Sequence, residues 1–302
     1  MSEGEAVQAA GGREHLAALL QGRTLRIALS LIVIGGVVWC VSEAWRRWGA
    51  PSAHGPQSLL VAENLVVTPP PSWVRANLVA EVTQYGDLKG QSILDPQLTI
   101  KVADAFRLHP WVRSVRRVSK RPPARVEVDL EYRRPVALVE VTTANARGVL
   151  PVDEEGVLLP RDDFVDEQGQ LISEALKFPV IVAGDSLPQG AVGATWGDPV
   201  VTAAAQIAAL FGDAWEACGL FKIAPAPGAT AGGVPVFHLT ARNGSQVIWG
   251  AAPEDQPKSL AEAQTKVSKL LEYVQQHRPF DAGAKPVEID LRSAEDMRVL
   301  PR

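Results

Sequence analysis

The sequence predicts an α+β protein in which an N-terminal transmembrane helix precedes two folded modules. Three observations lead to this fold class. An apolar span lies near the start of the 302-residue chain, and the apolar–polar alternation typical of half-buried strands recurs after it. Stretches with apolar residues three or four apart, typical of amphipathic helices, separate those strands. A chain of this length is expected to form about two domains.

Composition supports folded cores and excludes some classes of protein. Apolar residues make up 46% of the chain and charged residues 21%, which argues against wholesale disorder. The net charge of -4 gives no overall electrostatic reason to bind nucleic acid. Cys40 and Cys218 are the only cysteines and lie far apart in the sequence, so no disulfide is predicted.

The apolar span, residues 25–45, is predicted to be an uncleaved transmembrane helix. No charged residue lies between Arg26 and Glu43, a stretch somewhat shorter than the roughly 20 residues that cross a bilayer. Arg26 can snorkel, however, and nearby tryptophans extend the apolar path. A cleaved signal peptide and a buried core helix are the alternatives. Against cleavage, bulky Trp45 and Arg46 stand where small residues should precede a cleavage site.

Composition shifts set the predicted boundaries. Residues 1–24, rich in Ala, Gly and Glu, are predicted to be a cytoplasmic tail, and residues 46–57 have the Gly, Pro and Ser typical of a linker. The first module is predicted over residues 58–143 and the second over 144–302. The arginines flanking the apolar span are nearly balanced, so charge alone leaves its orientation open.

The first module is predicted to have the order strand, helix, helix, strand, strand. Ser72 is the predicted N-cap of the first helix, and Asp95-Pro96 has the cap-and-proline pattern that begins the second. Alternation of apolar and polar residues marks the strands. These are residues 65–67, 111–118 and 125–131, with a further strand over 136–141.

The second module is predicted to be a mixed α/β domain with an antiparallel-rich sheet. Asp198-Pro199 begins one helix, and residues 258–276 form another with a continuous apolar stripe. The Ala/Gly/Pro-rich stretch 224–235 is predicted to be a flexible loop. The predicted strands are residues 149–152, 156–159, 220–224, 236–240, 246–249, 287–291 and 298–300.

Motifs in both modules resemble the FtsQ/DivIB family of bacterial cell division proteins, and their order along the chain covers nearly all of residues 25–302. In the first module the matching residues are His109-Pro110-Trp111-Val112, the Arg-Pro-Pro turn after Lys120, and Tyr132-Arg133-Arg134-Pro135-Val136-Ala137. In the second they are Asp153 to Gly156, Phe178 to Ile181, Ser245 to Gly250 with Lys266, and Ile289-Asp290-Leu291-Arg292. Tyr132 departs from the acidic residue usual at its position.

The resemblance implies a POTRA domain over residues 58–143 and an FtsQ-type distal domain over 144–302. It also implies a non-enzymatic, membrane-anchored scaffold of the division complex. Such a scaffold would lie in the cytoplasmic membrane at the septum, with its N-terminus in the cytoplasm and most of the chain outside. The implied partners are FtsB-like and FtsL-like single-pass proteins, with FtsW and a septal transpeptidase further along the assembly.

In the family that the motifs resemble, a partner segment adds as a strand to the last strand of the distal domain. Carried over to this chain, the resemblance implies that Arg292 pairs with an acidic partner residue, and it places Ser293 where an aromatic anchor is expected. The partner-binding residues implied in this way are Glu288, Ile289, Asp290, Leu291, Arg292 and Ser293.

A basic run in the first module is the sharpest charge feature of the sequence. It is expected either to be a solvated strand face or to attract anionic lipid headgroups or an acidic partner. Nucleic acid is disfavoured because no aromatic residues are interleaved with the charges. The run consists of Arg113, Arg116, Arg117, Lys120 and Arg121.

No catalytic, cofactor or metal site is predicted, and no small-molecule substrate. The chain lacks Gly-x-Ser-x-Gly, Ser-x-x-Lys, Cys-x-x-Cys and His-Glu-x-x-His patterns. His109 and His238 are predicted to be packing or surface residues, and the acids at 153–155 lack the spacing of a calcium loop. Two alternatives stay open: an envelope POTRA protein that docks or chaperones exported polypeptides, and an anchored envelope hydrolase.

Overall fold

The computed structural model describes residues 30–44, 59–121, 124–143, 146–231, 234–254, 256–280 and 285–301. Over these residues the chain is a mixed α+β structure with two sheets, one of three strands and one of eight. The predicted cytoplasmic tail, residues 1–24, and the predicted linker, residues 46–57, lie outside the described residues.

The apolar helix near the start of the chain, α1, is described over residues 30–44, and residues 25–29 and 45 of the predicted span lie outside the described residues. The described part of α1 is about 22 Å long at a rise of 1.5 Å per residue, less than the roughly 30 Å of a bilayer's hydrocarbon core. Within the described ranges, no helix combines the length and the apolar character needed to cross a membrane. The prediction of a transmembrane helix over residues 25–45 is therefore wrong, and so is the single-pass membrane localisation that depended on it.

The three-stranded sheet belongs to a module with the order strand, helix, helix, strand, strand. Its elements are β1 (Leu65–Val67), α2 (Leu78–Tyr85), α3 (Leu98–Arg107), β2 (Val112–Arg121) and β3 (Arg125–Tyr132). The central strand β3 runs parallel to β1 and antiparallel to β2. Both helices bury their apolar stripes against this sheet in one hydrophobic cluster.

The two helices of this module begin where side chains satisfy free backbone N–H groups. Helix α2 starts later than predicted: residues 72 and 73 form a turn, and the Asn77 side chain accepts the N–H of Ala80 at 3.2 Å as the N-cap. Before α3, the Asp95 carboxylate accepts the N–H of Gln97 at 2.8 Å. Asp95 thus initiates the turn that leads into the helix.

The eight-stranded sheet has the order β11-β10-β9-β8-β7-β6-β4-β5 and mixes parallel with antiparallel pairs. Its strands are β4 (Pro135–Thr142), β5 (Arg147–Asp153), β6 (Val180–Val182), β7 (Leu220–Ala231), β8 (Val234–Ala241), β9 (Gln246–Ala251), β10 (Val287–Asp290) and β11 (Arg298–Pro301).

Strand β4, which the sequence assigned to the first module, belongs to the second sheet. It pairs with β5 and β6 and with no strand of the three-stranded sheet. Residues 135–139 are all buried, and such a continuous apolar run needs cover on both faces of the strand. The larger sheet provides that environment: helix α4 (Pro199–Phe211) packs on β4, Ala137 and Val139 lie in the hydrophobic cluster of the second module, and Leu138 lies in the cluster of the first.

Strands β7 and β8 replace part of a predicted flexible loop. The stretch 224–235 continues the hairpin: Ala224 is opposite His238, and Thr230 is opposite Pro235. A register shift between Pro225 and Thr230 accommodates the prolines and glycine of this stretch.

Helices cover one face of the larger sheet. Asp198 caps α4 by accepting the N–H of Val200 at 2.8 Å, with Pro199 in the first turn, as predicted. Two further helices are α5 (Ala214–Cys218) and α6 (Pro257–His277). Together with the sheet they bury one large hydrophobic cluster in which Trp196, Trp215 and Trp249 are almost fully inaccessible to solvent.

Candidate functional site

The implied partner-binding residues 288–293 lie on and just after β10, which is an interior strand. Strand β10 pairs in parallel with β9 on one side and antiparallel with β11 on the other. Ile289 and Leu291 are fully buried. A strand with neighbours on both sides cannot accept a third, so the expectation that these residues form a free edge is wrong. Within the described residues, the free edge on this side of the sheet belongs to β11.

Backbone geometry shows which residues of β10 face β11. Leu291 donates its N–H to the carbonyl of Ile248 on β9 at 2.9 Å. Successive residues of a strand bond to opposite sides, so Ile289 also faces β9, whereas Glu288 and Asp290 face β11. Their register partners on β11 therefore turn their N–H and C=O groups inward.

The outward groups of β11 follow from the same alternation. The register pairs Glu288 with Leu300 and Asp290 with Arg298, so the outward residues are Val299 and Pro301. Proline has no N–H. The β11 edge therefore offers one outward N–H, that of Val299, and the carbonyls of Val299 and Pro301.

The side chains of β11 add apolar surface to this edge. Val299 and Leu300 are 40% and 53% exposed, and they project to opposite faces of the sheet because neighbouring residues alternate along a strand. Arg298 forms an ion pair with Asp296 at 2.9 Å. An extended segment beside β11 would thus meet one apolar side chain on each face and a guanidinium group at the strand's start.

Arg292 already has a partner within the chain. Its guanidinium contacts Asp290 at 2.6 Å; this hydrogen bond raises the pKa of Arg292 and is the main reason that the pKa of Asp290 is lowered. The Arg292 side chain nevertheless remains 64% exposed. Ser293 accepts the N–H of Glu295 at 3.2 Å and so initiates the turn after β10.

The glycine–lysine motif of the second module joins helix α6 to β9. Lys266 donates from Nζ to the carbonyl of Trp249 at 3.0 Å and lies over its indole ring, 5.2 Å from the centroid. Burial lowers the pKa of Lys266. Gly250 has φ +95°, and a Cβ there would lie 3.5 Å from the Cα of Arg292. The motif therefore packs α6 and Arg292, two residues after β10, against the end of β9.

The basic run of the first module is largely paired within the chain. Arg113 contacts Glu154 at 2.6 Å and Glu155 at 2.7 Å. Further contacts join Arg116 to Glu131, Arg121 to Glu127, and Lys120 to the carbonyl of Asp95. Arg117 has no ion pair among the described residues and lines a shallow cleft of about 190 Å³ beside β1. Most of the run's charge is thus already neutralised by neighbouring acids.

The structure also brings together residues at the junction of the two sheets that the sequence did not connect. Arg133, after β3, contacts Asp153 at 2.6 Å and Glu155 at 2.8 Å. Asp163 accepts the indole N–H of Trp111 at 2.7 Å and the backbone N–H of Arg75 at 3.0 Å. Asp153 and Asp163 are both buried. No local sequence signal could identify these pairs, because the partners lie 20 to 88 residues apart.

A cleft of about 1010 Å³ opens at this junction. Its apolar lining includes Trp73, Phe164 and Phe178, and both acids and bases lie around it, among them Arg134 and Glu174. The mixed charges do not select one class of ligand.

The described residues contain no group of three or more His, Cys, Asp or Glu side chains placed to hold a metal ion. Burial raises the pKa of the Cys218 thiol to about 12. His109 lies in the buried turn before β2, where its Nδ1 accepts the N–H of Trp111 and its Nε2 lies 3.2 Å from Glu81. His238 contacts the side chain of Gln246.

Comparison with known proteins does not name a family for this chain. No family model matches it, and no curated protein matches it either.

Proposed function

We propose that the chain is a non-enzymatic interaction protein of the bacterial division complex that binds an extended segment of an FtsB-like partner along β11. One observation carries the proposal: β11 is the outer strand next to β10, and β10 carries the Ile289-Asp290-Leu291-Arg292 motif that resembles the end of the FtsQ family's distal domain. The order of motifs along both modules supports it. FtsL-like proteins, FtsW and a septal transpeptidase would join through that partner.

Binding by strand addition uses main-chain hydrogen bonds for affinity and side chains for register. On β11 the partner segment would accept the N–H of Val299 and donate to the outward carbonyls. Apolar partner side chains would cover Val299 on one face and Leu300 on the other. Pairing of Arg292 with an acidic partner residue stays a prediction, because its exposed guanidinium contacts Asp290 on β10.

The β11 edge is short, which limits where a partner can bind. Four residues, a proline and a charged residue are features that discourage unselective strand pairing. Because Val299 alone supplies an outward N–H, this residue fixes the register. We therefore expect selective binding of moderate affinity.

Substitution of Val299 tests the proposal directly. Val299→Pro removes the outward N–H but leaves the bonds from Arg298 and Leu300 to β10, and proline is tolerated on edge strands. Val299→Ala keeps the N–H but removes two side-chain carbons, so its apolar contact is weaker than that of the proline variant. With the full chain and an FtsB-like segment, we expect calorimetry to show about tenfold weaker binding for the proline variant than for the alanine variant. Equal affinity of two folded variants would reject β11 as the binding edge.

A truncation distinguishes addition from replacement. A chain that ends at Met297 lacks β11 and exposes the outer side of β10. Addition to β11 predicts that this chain loses binding. If it instead binds more tightly than the full chain, the partner replaces β11 and contacts Glu288 and Asp290.

A second candidate is the docking of unfolded or exported polypeptides on the three-stranded sheet. It is favoured by β2, a ten-residue strand that pairs with β3 on one side and with no other described strand. Two register irregularities and a row of basic side chains disfavour pairing there. A competition experiment between a reduced, unfolded protein and the FtsB-like segment would discriminate the two candidates. If the chain binds the unfolded protein equally well with and without the segment, binding at β2 is supported.

A further inference from the structure

The other outer strand of the eight-stranded sheet, β5, is half covered. Its C-terminal half bonds to the chain that follows: Asp153 donates its N–H to Val157 at 3.1 Å, and Leu159 donates to the Pro151 carbonyl at 2.9 Å. Beside its N-terminal half, residues 147–150, no described strand is paired on the outer side. The sheet therefore has a second free edge, far in strand order from β11.

Backbone alternation identifies the free groups on this edge. Thr143 donates its N–H to the carbonyl of Ala146 at 2.8 Å, which makes these two residues a hydrogen-bonded pair in the β4–β5 hairpin. Such pairs recur at every second residue, so even-numbered residues of β5 bond to β4. Arg147 and Val149 turn their N–H and C=O groups outward. The outward carbonyl of Pro151 follows the same alternation.

We propose that two copies of this chain associate by antiparallel pairing of their β5 strands about a twofold axis at Gly148. In this register Arg147 of each copy lies opposite Val149 of the other. Both residues present an N–H and a C=O, so the pairing makes four main-chain hydrogen bonds and leaves none of these groups unpaired. The inference uses an edge separate from β11 and does not depend on the proposed function.

The edge is complementary to itself, which favours a second copy as the occupant. A twofold axis requires the same groups on both sides of its centre, and Arg147 and Val149 flank Gly148 symmetrically. At the axis the two Gly148 residues face each other, and a Cβ at this position would meet nothing within 4 Å. The register also keeps the two Arg147 side chains from lying directly opposite, where like charges are destabilising.

Side chains next to the paired stretch give it apolar contacts on both faces. Val149 is half-buried against the hydrophobic cluster of the first module, and Leu150 is half-buried against the cluster of the second. Arg147 lies 3.9 Å from Glu140 on β4, which offsets its charge. The segment 157–159 confines the pairing to residues 147–149, because Leu159 already occupies the carbonyl of Pro151.

Disulfide cross-linking tests the register. In an antiparallel non-hydrogen-bonded pair the two Cα atoms are about 4.5 Å apart, within the range that a disulfide bridges. In the full chain carrying Cys40→Ser, we expect Gly148→Cys to form a covalent dimer on mild oxidation, while the buried Cys218 stays unreactive. Arg147→Cys is the matched control, since its two copies would lie about 8 Å apart, beyond disulfide reach.

Removal of a single N–H tests the bonding. Val149→Pro deletes an outward donor from each copy without touching the β4–β5 ladder, and Val149→Ala removes side-chain contacts while it keeps the N–H. We expect the dimer dissociation constant of the proline variant to be at least about tenfold higher than that of the alanine variant. Sedimentation velocity or light scattering measures both constants. Helix α1 is the same in both variants, so association through its exposed apolar residues cannot produce this difference.

The outcomes separate this pairing from its rivals. A monomer at all concentrations, or a dimer that cross-links equally through residues 147 and 148, would overturn the proposal. So would a dimer that Val299→Pro abolishes and Val149→Pro does not, because it would pair through β11. Binding of the FtsB-like segment by a chain that stays monomeric would leave the proposed function intact while rejecting the β5 dimer.

Discussion

Trp111 and Asp163 form a buried hydrogen bond that connects the two sheets: Nε1 of Trp111 donates to Oδ2 of Asp163 at 2.7 Å. Trp111 directly precedes β2, and Asp163 lies in the segment between β5 and β6. The second oxygen of Asp163 accepts the N–H of Arg75 at 3.0 Å. One carboxylate thus holds two segments of the first module against the second.

Asp163→Ala should destabilise the chain by about 2–4 kcal/mol, because it leaves two donors without an acceptor in a buried site. Asp162 is its matched control: it is exposed and lies one residue away, so Asp162→Ala should change the free energy of unfolding by less than about 0.5 kcal/mol. Urea denaturation of both variants checks this. Equal stability of the two variants would mean that the hydrogen bond does not connect the sheets.

Asp153→Ala should be at least as damaging at the same junction. The Asp153 carboxylate accepts from Arg133 at 2.6 Å and from the N–H groups of Glu155 and Val157, and its side chain is 3% exposed. Removing one member of a buried ion pair costs about 3–5 kcal/mol. Glu154→Ala is the control, because the Glu154–Arg113 pair is exposed and such pairs contribute up to about 1 kcal/mol. Thermal denaturation that ranked the two variants in the opposite order would contradict this reading.

Elements whose signals are local could be predicted from the sequence. The Asp198-Pro199 start of α4 and the continuous stripe of α6 depend on residues one to four positions apart, and both helices occur where the pattern puts them. The prediction that Ser72 is the N-cap of the first helix is wrong, because Asn77, five residues later, also has a capping side chain and lies directly before the apolar helix. Local patterns identify a cap but do not choose between two of them.

Pairing between distant segments could not be predicted. The sequence marks residues 287–291 and 298–300 as strands, but nothing in their composition says that the second covers the free side of the first. The same limit applies to Asp163, whose turn-like surroundings gave no sign of a bond to Trp111, 52 residues away. The free edge therefore belongs to β11 and not to β10, although the sequence pattern predicts both strands.

The junction acids should make stability depend on pH. The hydrogen bond from Arg133 is the main reason that the pKa of Glu155 is lowered from 4.5. A carboxylate with a lowered pKa in the folded state stabilises the fold above its unfolded pKa, and this contribution is lost as the pH falls through the folded pKa. Wild type should therefore exceed Glu155→Gln in free energy of unfolding at pH 6, and the two should converge below pH 4. Denaturant titrations at both pH values measure this, and a constant difference would argue against the ion pair.

The two cysteines should differ sharply in reactivity. Cys218 is fully buried at the end of α5, where desolvation raises the pKa of its thiol from 9.0 to about 12, whereas Cys40 on α1 is exposed. Because the thiolate is the nucleophile, iodoacetamide at pH 8 should label the folded chain once, at Cys40, and add a second label only in denaturant. Mass spectrometry of the wild type and of Cys40→Ser counts the labels. Labelling of the folded Cys40→Ser variant would show that the packing of α5 against the sheet opens readily. The raised pKa of the Cys218 thiol also predicts that the fold loses stability at alkaline pH. The stabilisation from burying a neutral thiol is present below pH 9 and is lost as the pH rises towards 12.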